Sequence, residues 1–294
     1  MNWMDQISAS VRADAPILIA GPTASGKSSL ALHLAEKFAL PIVNADAIQV
    51  FSDWRILTAR PSIQDEQQAT HLLYGHVPGT QGYSVGDWLR EVRPILAAGP
   101  CIIVGGTGLN FSALTEGLAD IPETSKEVRA QSEKLLITKG LSQLLLEIDD
   151  DTRLRIDQNN PRRVQRAWEV MQQTGRGLSD WQDETVEPIY ALDARQSVVI
   201  DAPKDWLTPR IDRRFDKMIE EGVLEEARTN ANAWNETLPS AKAIGARELI
   251  EFVQGELDSQ ALKAAICTQT RQYAKRQRTW FRKRMRDWTW VQPF

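Results

Sequence analysis

The sequence predicts an α/β fold, in which a P-loop-type parallel sheet core is flanked by helices and carries a helical insertion domain. Apolar runs of strand length lie at 16–20, 41–43, 100–104 and 197–200. A helical pattern follows the first run, and the chain turns polar and strongly helical between 120 and about 179. Alternating strands and helices are typical of parallel sheets. We therefore expect an α/β core with basic carboxy-terminal helices, formed by 1–119 and 197–294, and a helical domain formed by 120–196.

Composition limits the classes of protein that this chain can belong to. A chain of 294 residues, 42% of them hydrophobic, is long enough to bury such a core. Its longest apolar runs are only of strand length and its amino terminus is polar, so we expect a cytoplasmic protein with no membrane association. The two cysteines, Cys101 and Cys267, and the three histidines show no metal-ligand spacing. No structural metal is predicted.

The first strand runs directly into a G-x-x-x-x-G-K-[ST] pattern, which is typical of phosphate-binding loops. Glycine lacks the Cβ that blocks close approach, so backbone amides in such a loop can point at phosphate oxygens. The lysine adds a positive charge, and the final serine, at the helix start, is a candidate Mg²⁺ ligand. The predicted phosphate-binding residues are Gly21, Pro22, Thr23, Ala24, Ser25, Gly26, Lys27 and Ser28, with Ser28 as the metal ligand.

A glycine turn that binds nothing is the alternative explanation of this pattern. The strand before it and the amphipathic helix at 29–38 supply the context that a phosphate-binding loop requires. They favour a diphosphate or triphosphate ligand, but the loop alone does not name it.

The next two strands end in polar residues and glycines. Asn44-Ala45-Asp46 follows the strand at 41–43, and Gly105-Gly106-Thr107-Gly108 follows the strand at 100–104. Because parallel sheets bind ligands at the carboxyl ends of their strands, we expect these strand ends to meet in one crevice. We also expect the strand before Asp46 to adjoin the strand that carries the phosphate loop. From position alone, Asp46 could be a general base, a metal ligand or a turn cap.

The rest of the chain is predicted to be mainly helical. The insertion carries an arginine cluster around Asn159-Asn160-Pro161, and the run at 197–200 returns to the sheet. From Thr208 onward helical patterns follow one another, for example at 209–221, which ends before Gly222.

A basic segment lies near the carboxyl end of a chain whose net charge is −4. The range 271–286 contains eight basic residues and no acidic one, with aromatic residues interleaved. This is either a solvated helix surface over packed aromatics or a site for nucleic-acid phosphates, and the one-sided charge favours the second. At helical spacing, one face would carry Arg271, Lys275, Arg278, Arg282 and Arg286.

Several motifs, taken in order, resemble those of the tRNA dimethylallyltransferase family, also called the tRNA isopentenyltransferase or IPP transferase family. They are the phosphate loop, D-A-I-Q-V-F at 46–51, T-A-R-P at 58–61, V-G-G-T-G-L at 104–109, A-I-G at 243–245 and Y-A-K-R-Q-R-T-W-F-R at 273–282. The resemblance covers nearly the whole chain, from about 16 to 286. The ordered set is far more specific than any single motif.

The resemblance implies transfer of a dimethylallyl group from dimethylallyl diphosphate to N6 of adenine 37, beside the anticodon, in tRNAs that read codons beginning with U. It implies a P-loop NTPase-like fold whose loop holds the donor's diphosphate rather than ATP, with Mg²⁺ as cofactor. The expected partners are the anticodon stem-loop of tRNA and the donor, and the protein is expected to be a monomer. The insertion would close over the anticodon stem.

Family positions for catalysis correspond to Asp46, Thr107 and Arg214. Asp46 would accept the proton of the adenine amino group as that group attacks C1 of the donor. Arg214 also has a plainer interpretation, because it begins a helix with Arg210 and Arg213 and could pair with neighbouring carboxylates on its surface.

The family resemblance also implies which residues contact tRNA. An adenine stacked in the anticodon loop must be extruded to reach a buried crevice. Gln49, whose amide can both donate and accept, is the candidate reader of that base. The implied tRNA contacts are Asp46, Ala47, Ile48, Gln49, Thr107, Arg129, Arg162, Arg163, Val164, Gln165, Arg166, Lys242, Arg247, Lys275, Arg276, Arg278, Trp280 and Arg282.

The chain departs from the family pattern at Ala47, Phe51 and Ala246, where serine, tyrosine and tyrosine are common. These departures put in doubt only auxiliary hydrogen bonds around the adenine. The sequence has no carboxy-terminal Cys/His zinc-finger pattern of the eukaryotic kind, which indicates a bacterial-type enzyme.

Two other functions use some of the same features. A small-molecule or nucleotide kinase would bind ATP at the loop and use Asp46 to accept a hydroxyl proton. However, 101–104 ends in glycines where many such enzymes place an acidic Mg²⁺ ligand, and a metabolite kinase has no use for the basic segment. A nucleotide-switched RNA-binding protein would explain the loop and the basic segment, but it would leave Asp46 and Gln49 without a role.

Overall fold

A computed structural model describes residues 2–184 and 186–294. Its sheet has the strand order β3-β2-β4-β1-β5-β6, and every neighbouring pair is parallel. Strands β1, β2, β4 and β5 are buried along their whole length, as expected where helices cover both faces. The predicted parallel α/β fold is confirmed. The strands are β1 (Ile17–Ala20), β2 (Ile42–Asn44), β3 (His71–Leu72), β4 (Ile102–Gly105), β5 (Ser197–Ile200) and β6 (Thr289–Val291).

The chain divides into two compact units. The α/β unit runs up to Ala113 and resumes at Ala191–Phe294, and the helical unit is Leu114–Tyr190. The boundaries therefore fall at 113/114 and 190/191, where the sequence predicted 119/120 and 196/197. Among the described residues, no helix has the length and apolar content needed to cross a membrane.

Most helices of the α/β unit bury apolar residues. The helices of this unit are α1 (Trp3–Ser10), α2 (Lys27–Phe38), α3 (Ile63–Gln68), α4 (Val85–Ala98), α5 (Gly108–Glu116), whose last residues belong to the helical unit, α11 (Lys204–Glu220), α12 (Val223–Ala231), α13 (Ala246–Val253) and α14 (Ser259–Arg284). In α2, Leu30 and Leu34 lie one turn apart and are fully buried. Aliphatic residues of β1, β4, α11 and α14 complete this core.

The helical unit has its own core. Its helices are α6 (Lys126–Lys139), α7 (Leu141–Leu146), α8 (Asp150–Arg155), α9 (Pro161–Thr174) and α10 (Leu178–Asp183). Helix α9 begins with the N-cap Asn160 followed by Pro161, which needs no amide partner at that position. It buries Val164 and Trp168, one turn apart, against Leu144.

Three elements were not predicted from the sequence: α1, the two-residue β3 and the carboxy-terminal β6. Both strands are short, and β6 reads Thr-Trp-Val shortly after a basic helix, so neither shows an apolar run. Helix α11 starts at Lys204 and continues through Pro209, which we predicted as its first residue. Gly222 follows this helix in the left-handed conformation, with φ 96°.

The predicted neighbour of the strand before Asp46 is wrong. Strand β4 lies between β2 and β1, so β2 does not touch the strand that carries the phosphate loop. Two features nevertheless bring Asp46 close to the loop. The chain turns across the end of β4 directly after β2, and β4 ends in glycine. A Cβ at Gly105 would lie 2.2 Å from the carbonyl oxygen of Ala45, so only glycine permits this crossing.

Candidate active site

A cavity of about 400 Å³ opens at the carboxyl ends of β1, β2 and β4. Its lining includes Thr23 and Lys27 from the phosphate loop, Asp46 from the end of β2, and Thr107 from the turn after β4. Helices α11 and α14 supply its opposite wall. The three strand ends therefore meet at one cavity, as the sequence predicted.

The phosphate loop has the backbone geometry that its glycines permit. Gly26 directly precedes α2 with φ 90°, in the left-handed region that favours glycine. A Cβ at Gly21 would lie 2.7 Å from Oγ of Ser25. This hydroxyl is buried and has no hydrogen-bond partner among the described residues. Buried polar atoms are normally satisfied, so the loop has capacity for a ligand that accepts or donates a hydrogen bond.

Two cations line the phosphate end of the cavity. The Lys27 ammonium lies 3.4 Å from the carbonyl oxygen of Pro22, and burial lowers its pKa to about 8 against the opposing attraction of Asp46. Arg214 on α11 donates from Nη1 to Oγ1 of Thr23 at 3.0 Å, and burial also lowers its pKa. Two desolvated cations beside the phosphate loop attract a strongly anionic group.

The structure distinguishes the three arginines at the start of α11. Arg214 lines the cavity, whereas Arg213 is exposed and donates to the carbonyl of Pro209. Arg210 donates from Nε to the carbonyl of Ala24 at 3.0 Å, with its guanidinium 4.2 Å from the ring centre of Trp206. Asp212 and Asp216, which could have paired with Arg214, pair instead with Arg271 and Lys263. The plainer surface-pair interpretation of Arg214 therefore does not hold.

Asp46 both caps a turn and faces the cavity. Its Oδ1 accepts the backbone N–H of Ile48 at 3.0 Å and that of Gln49 at 3.4 Å. Its Oδ2 has no hydrogen bond within the described part of the chain and lies 3.3 Å from where a Cβ of Gly106 would be. One oxygen is thus structural, and the other is available to a ligand.

The turn after β4 is tied to the chain at Ala47 and to α14. Thr107 Oγ1 accepts the backbone N–H of Ala47 at 3.0 Å, and Tyr273 of α14 lines the same cavity. Burial raises the pKa of the Tyr273 hydroxyl. Buried Gln277 accepts from the N–H of Thr23 at 2.8 Å and donates to the carbonyl of Gly106 at 2.9 Å. These bonds hold the two strand-end loops against each other.

Gln49 is oriented by the segment that follows it. Its Nε2 donates to the carbonyl oxygens of Thr58 at 2.9 Å and Ala59 at 2.8 Å. Both amide hydrogens are therefore used, and Oε1 is the group of this side chain left without a partner among the described residues. The expectation that this amide both donates to and accepts from a base is corrected. In this structure it is free only to accept.

The far end of the cavity is apolar. It is lined by Ile211, Phe215 and Met218 from α11 and by Ile266 and Cys267 from α14. Burial raises the pKa of the Cys267 thiol to about 11, so it is neutral at physiological pH. The cavity therefore has a cationic end, a central carboxylate and an end suited to a small hydrocarbon group.

Helix α14 presents two different faces. Thr270, Tyr273 and Gln277 lie at helical spacing on the cavity side. On the other side Arg271 pairs with Asp212 at 3.0 Å and Arg282 with Asp201 at 3.2 Å. No other basic residue of 271–286 forms an ion pair with a described residue. Arg286 lies beyond the helix end at Arg284, so it does not continue the predicted face.

Trp280 packs against the turn after β4. A Cβ at Gly108 would lie 2.2 Å from two carbons of the Trp280 ring, so the indole occupies the space that a side chain would need. The neighbouring Arg276 stacks over Tyr273 at 5.6 Å. Aromatic and basic groups thus alternate beside the cavity, an arrangement suited to single-stranded nucleic acid.

The other implied tRNA contacts have different environments. Lys242 is exposed and lines the cavity, and Ile48 and Ala47 line it as well. Arg247 is exposed and pairs with Glu251 at 2.7 Å and Glu236 at 3.5 Å, away from the cavity lining. Ser28 is exposed in the first turn of α2.

In the helical unit, the implied contacts separate into core and surface. Val164 belongs to the hydrophobic core, and buried Gln165 donates to Ser132 Oγ at 2.8 Å. Both side chains therefore lie in the interior of the helical unit, after the exposed first residues of α9. Arg129, Arg162 and Arg163 are exposed and Arg166 is half-buried, so contacts from these arginines stay predictions.

Sequence reasoning missed Arg210, Tyr273 and Gln277 as site residues. Arg210 carried no signal that separated it from its neighbours. Tyr273 and Gln277 lie four residues apart within the motif at 273–282, and their spacing could have shown that they face away from the basic side of α14.

Two protein families match the chain, and together they cover most of its length. The family described as IPP transferase matches residues 49–284, and the family described as isopentenyl transferase matches residues 16–76. A protein of Dinoroseobacter shibae named tRNA dimethylallyltransferase is 54% identical, over 96% of each chain. A protein of Paracoccus denitrificans with the same name is 51% identical, over 94% of each chain.

Solved structures give the same result. A tRNA isopentenylpyrophosphate transferase of Bacillus halodurans is 28% identical, with a TM-score of 0.66 over 95% of this chain and 90% of that one. A eukaryotic dimethylallyltransferase acting on tRNA is 25% identical, with a TM-score of 0.79 over 95% of this chain and 74% of that one. The chain belongs to the IPP transferase family, the family of the tRNA dimethylallyltransferases.

Proposed function

We propose that this protein transfers a dimethylallyl group from dimethylallyl diphosphate to N6 of adenine 37, beside the anticodon, in tRNAs that read codons beginning with U. Membership of the family supports prenyl transfer to tRNA. The cavity itself carries the argument for the chemistry. It combines a cationic phosphate site, an available carboxylate oxygen and an apolar end within about 400 Å³.

The donor would lie along the cavity with its two ends in different environments. Its diphosphate would contact the phosphate loop, Lys27 and Arg214, and its hydrocarbon part would pack against Ile211 and Met218. The cations then stabilise the negative charge that develops on the leaving diphosphate, in a site where water screens little. The apolar end supports a short prenyl group.

The acceptor would enter from the side of Asp46 and Gln49. In the transfer, the N6 nitrogen bonds to C1 of the donor, and the bond between C1 and the diphosphate oxygen breaks with its electron pair leaving on diphosphate. The surplus N6 proton passes to Oδ2 of Asp46. Gln49 Oε1 would accept the second N6–H, a pattern that fits the amino group of adenine and opposes the carbonyl oxygen of guanine.

We further propose that Mg²⁺ accompanies the donor diphosphate. Magnesium usually keeps several waters and binds through substrate phosphates with few protein ligands. The Ser28 hydroxyl at the start of α2 fits such a site. Within the described ranges no group of three or more histidine, cysteine or acidic residues could hold a metal alone. When bound, the ion would neutralise charge on the leaving group.

The kinase alternative is not favoured by the family comparisons. The decisive experiment supplies unmodified tRNA with either labelled dimethylallyl diphosphate or γ-labelled ATP. The proposal expects the prenyl label on the anticodon-loop adenine and no transfer from ATP. Transfer of the γ-phosphate would establish a kinase, and binding of both substrates without transfer of either label would indicate an RNA-binding protein without this chemistry.

A further inference from the structure

Glu226 on α12 holds a segment of the active site that it does not itself enter. Its Oε1 accepts the backbone N–H of Arg55 at 2.5 Å and that of Ile56 at 2.9 Å. Its Oε2 accepts the N–H of Leu57 at 3.0 Å. Three successive amides thus converge on one carboxylate, an arrangement that binds anions well. No other described group accepts from these three amides.

The segment that Glu226 holds has neither helix nor strand to fix it. It turns back on itself, with Ala59 N–H donating to the carbonyl of Ile56 at 3.0 Å. Ala59 has φ 52°, a left-handed conformation that alanine adopts only where its surroundings impose it. The Glu226 carboxylate supplies a strong part of that constraint, because charged acceptors form stronger hydrogen bonds than neutral ones.

The other end of this turn orients Gln49. The carbonyl oxygens of Thr58 and Ala59 accept both hydrogens of the Gln49 amide, and this leaves Oε1 for a ligand. A displacement of the turn would release the amide, which could then rotate and present its NH₂ group instead. The contact at 55–57 therefore decides which polar atom Gln49 offers to the cavity.

We propose that Glu226 is a positioning residue for the acceptor base: it fixes the 55–59 turn, and through that turn the acceptor orientation of Gln49. This inference rests on the proposed function, since it assigns Gln49 to the N6 amino group of adenine. Glu226 would then affect the orientation of the tRNA substrate but not the binding of the donor. Donor binding depends on Lys27 and Arg214, which Glu226 does not contact.

The test is a double-mutant cycle with Glu226→Gln and Gln49→Ala, in which kcat and KM are measured for tRNA and for the donor. Glutamine keeps the size of Glu226 but puts an NH₂ group where one acceptor oxygen was. We expect Glu226→Gln to lower kcat/KM for tRNA about 10-fold, as small displacements of positioning groups do, with the donor KM unchanged. In the Gln49→Ala background, the same change should have less than about a twofold effect.

Glu225→Gln is the matched control, because Glu225 is the adjacent residue and pairs only with Arg228 among the described residues. It should behave as wild type. Thermal melts identify a variant that fails to fold, in which case Glu226→Asp, which keeps the charge on a shorter side chain, enters the same cycle. Wild-type kcat/KM in Glu226→Gln, or a full 10-fold loss that persists without Gln49, would overturn the proposal. If wild-type protein itself transfers no prenyl group to tRNA, the proposed function fails instead.

Discussion

The side chain of Gln277 accepts a hydrogen bond from the backbone N–H of Thr23 at 2.8 Å, across more than 250 positions of sequence. The same amide donates to the carbonyl of Gly106 at 2.9 Å. One buried residue of α14 therefore joins the phosphate loop to the turn after β4. This side chain connects the donor site to the acceptor side of the cavity.

Gln277→Leu should reduce both stability and activity. Leucine leaves the Thr23 N–H and the Gly106 carbonyl buried without partners, which costs about 1–3 kcal/mol for each group. Denaturant unfolding measures the free energy of unfolding, and titration with the donor measures the affinity of the phosphate loop for it. Gln272→Leu is the control, because Gln272 is exposed on the same helix and should change neither quantity. Equal effects of the two substitutions would show that the Gln277 hydrogen bonds contribute nothing to stability or to donor binding.

Asp46→Asn should separate capping from proton transfer. Asparagine keeps the Oδ1 acceptor for Ile48 and Gln49, so the fold should survive at a cost below about 1 kcal/mol. It is a far weaker base, so the single-turnover rate of prenyl transfer should fall on the order of 100-fold.

Donor binding provides the internal control for Asp46→Asn. Removal of the negative charge leaves Lys27 and Arg214 without their attractive neighbour, so the diphosphate should bind at least as tightly as in wild type at pH 6.5. Transfer at the wild-type rate would mean that the proton leaves through water or a donor oxygen.

Donor binding should take up a proton above pH 8. The pKa of Lys27 in the free protein is lowered to about 8, so at pH 8.5 most of the side chain is neutral. A bound diphosphate favours the ammonium form, which raises that pKa again. Uptake should approach about 0.8 proton at pH 8.5 and affinity should fall as the pH rises through 8. Calorimetry in buffers of different ionisation enthalpy measures this, and Lys27→Met should abolish the uptake assigned to Lys27.

The salt dependence of tRNA binding should identify which cations on α14 contact phosphates. Lys275 is exposed and unpaired among the described residues, so Lys275→Ala should lower the magnitude of the negative slope of log affinity against log salt by about one. Arg282→Ala should lower it less, because Arg282 is already paired with Asp201. Lys263→Ala, at the paired amino-terminal end of the helix, is the control. Unchanged slopes in the first two variants would remove α14 from the tRNA interface.

Much of the active site follows from sequence because its parts are local. The phosphate loop lies directly between a strand and a helix, and Asp46 and Thr107 directly follow strands, so each position is fixed by its neighbours. Strand order is not local. The place of β4 between β2 and β1 depends on long-range pairing, and this is why the predicted neighbour of the Asp46 strand was wrong.

Side-chain orientation was the other part that the sequence did not reveal. Gln49 appeared able to donate and accept, but Thr58 and Ala59 use both of its hydrogens. Val164 and Gln165 appeared to belong with the neighbouring arginines, yet helix periodicity turns them into the interior. In each case the deciding partner lies outside the motif that contains the residue.

The contact between Gly108 and Trp280 has a consequence for how this sequence can change. The indole fills the space that any side chain at 108 would occupy, with ring carbons 2.2 Å from that point. A larger residue can therefore replace Gly108 only where position 280 has become smaller or the end of α14 has shifted. The two positions, far apart in the chain, are obliged to vary as a pair. A relative that keeps tryptophan but carries a branched residue at 108 must seat its last long helix differently against the sheet.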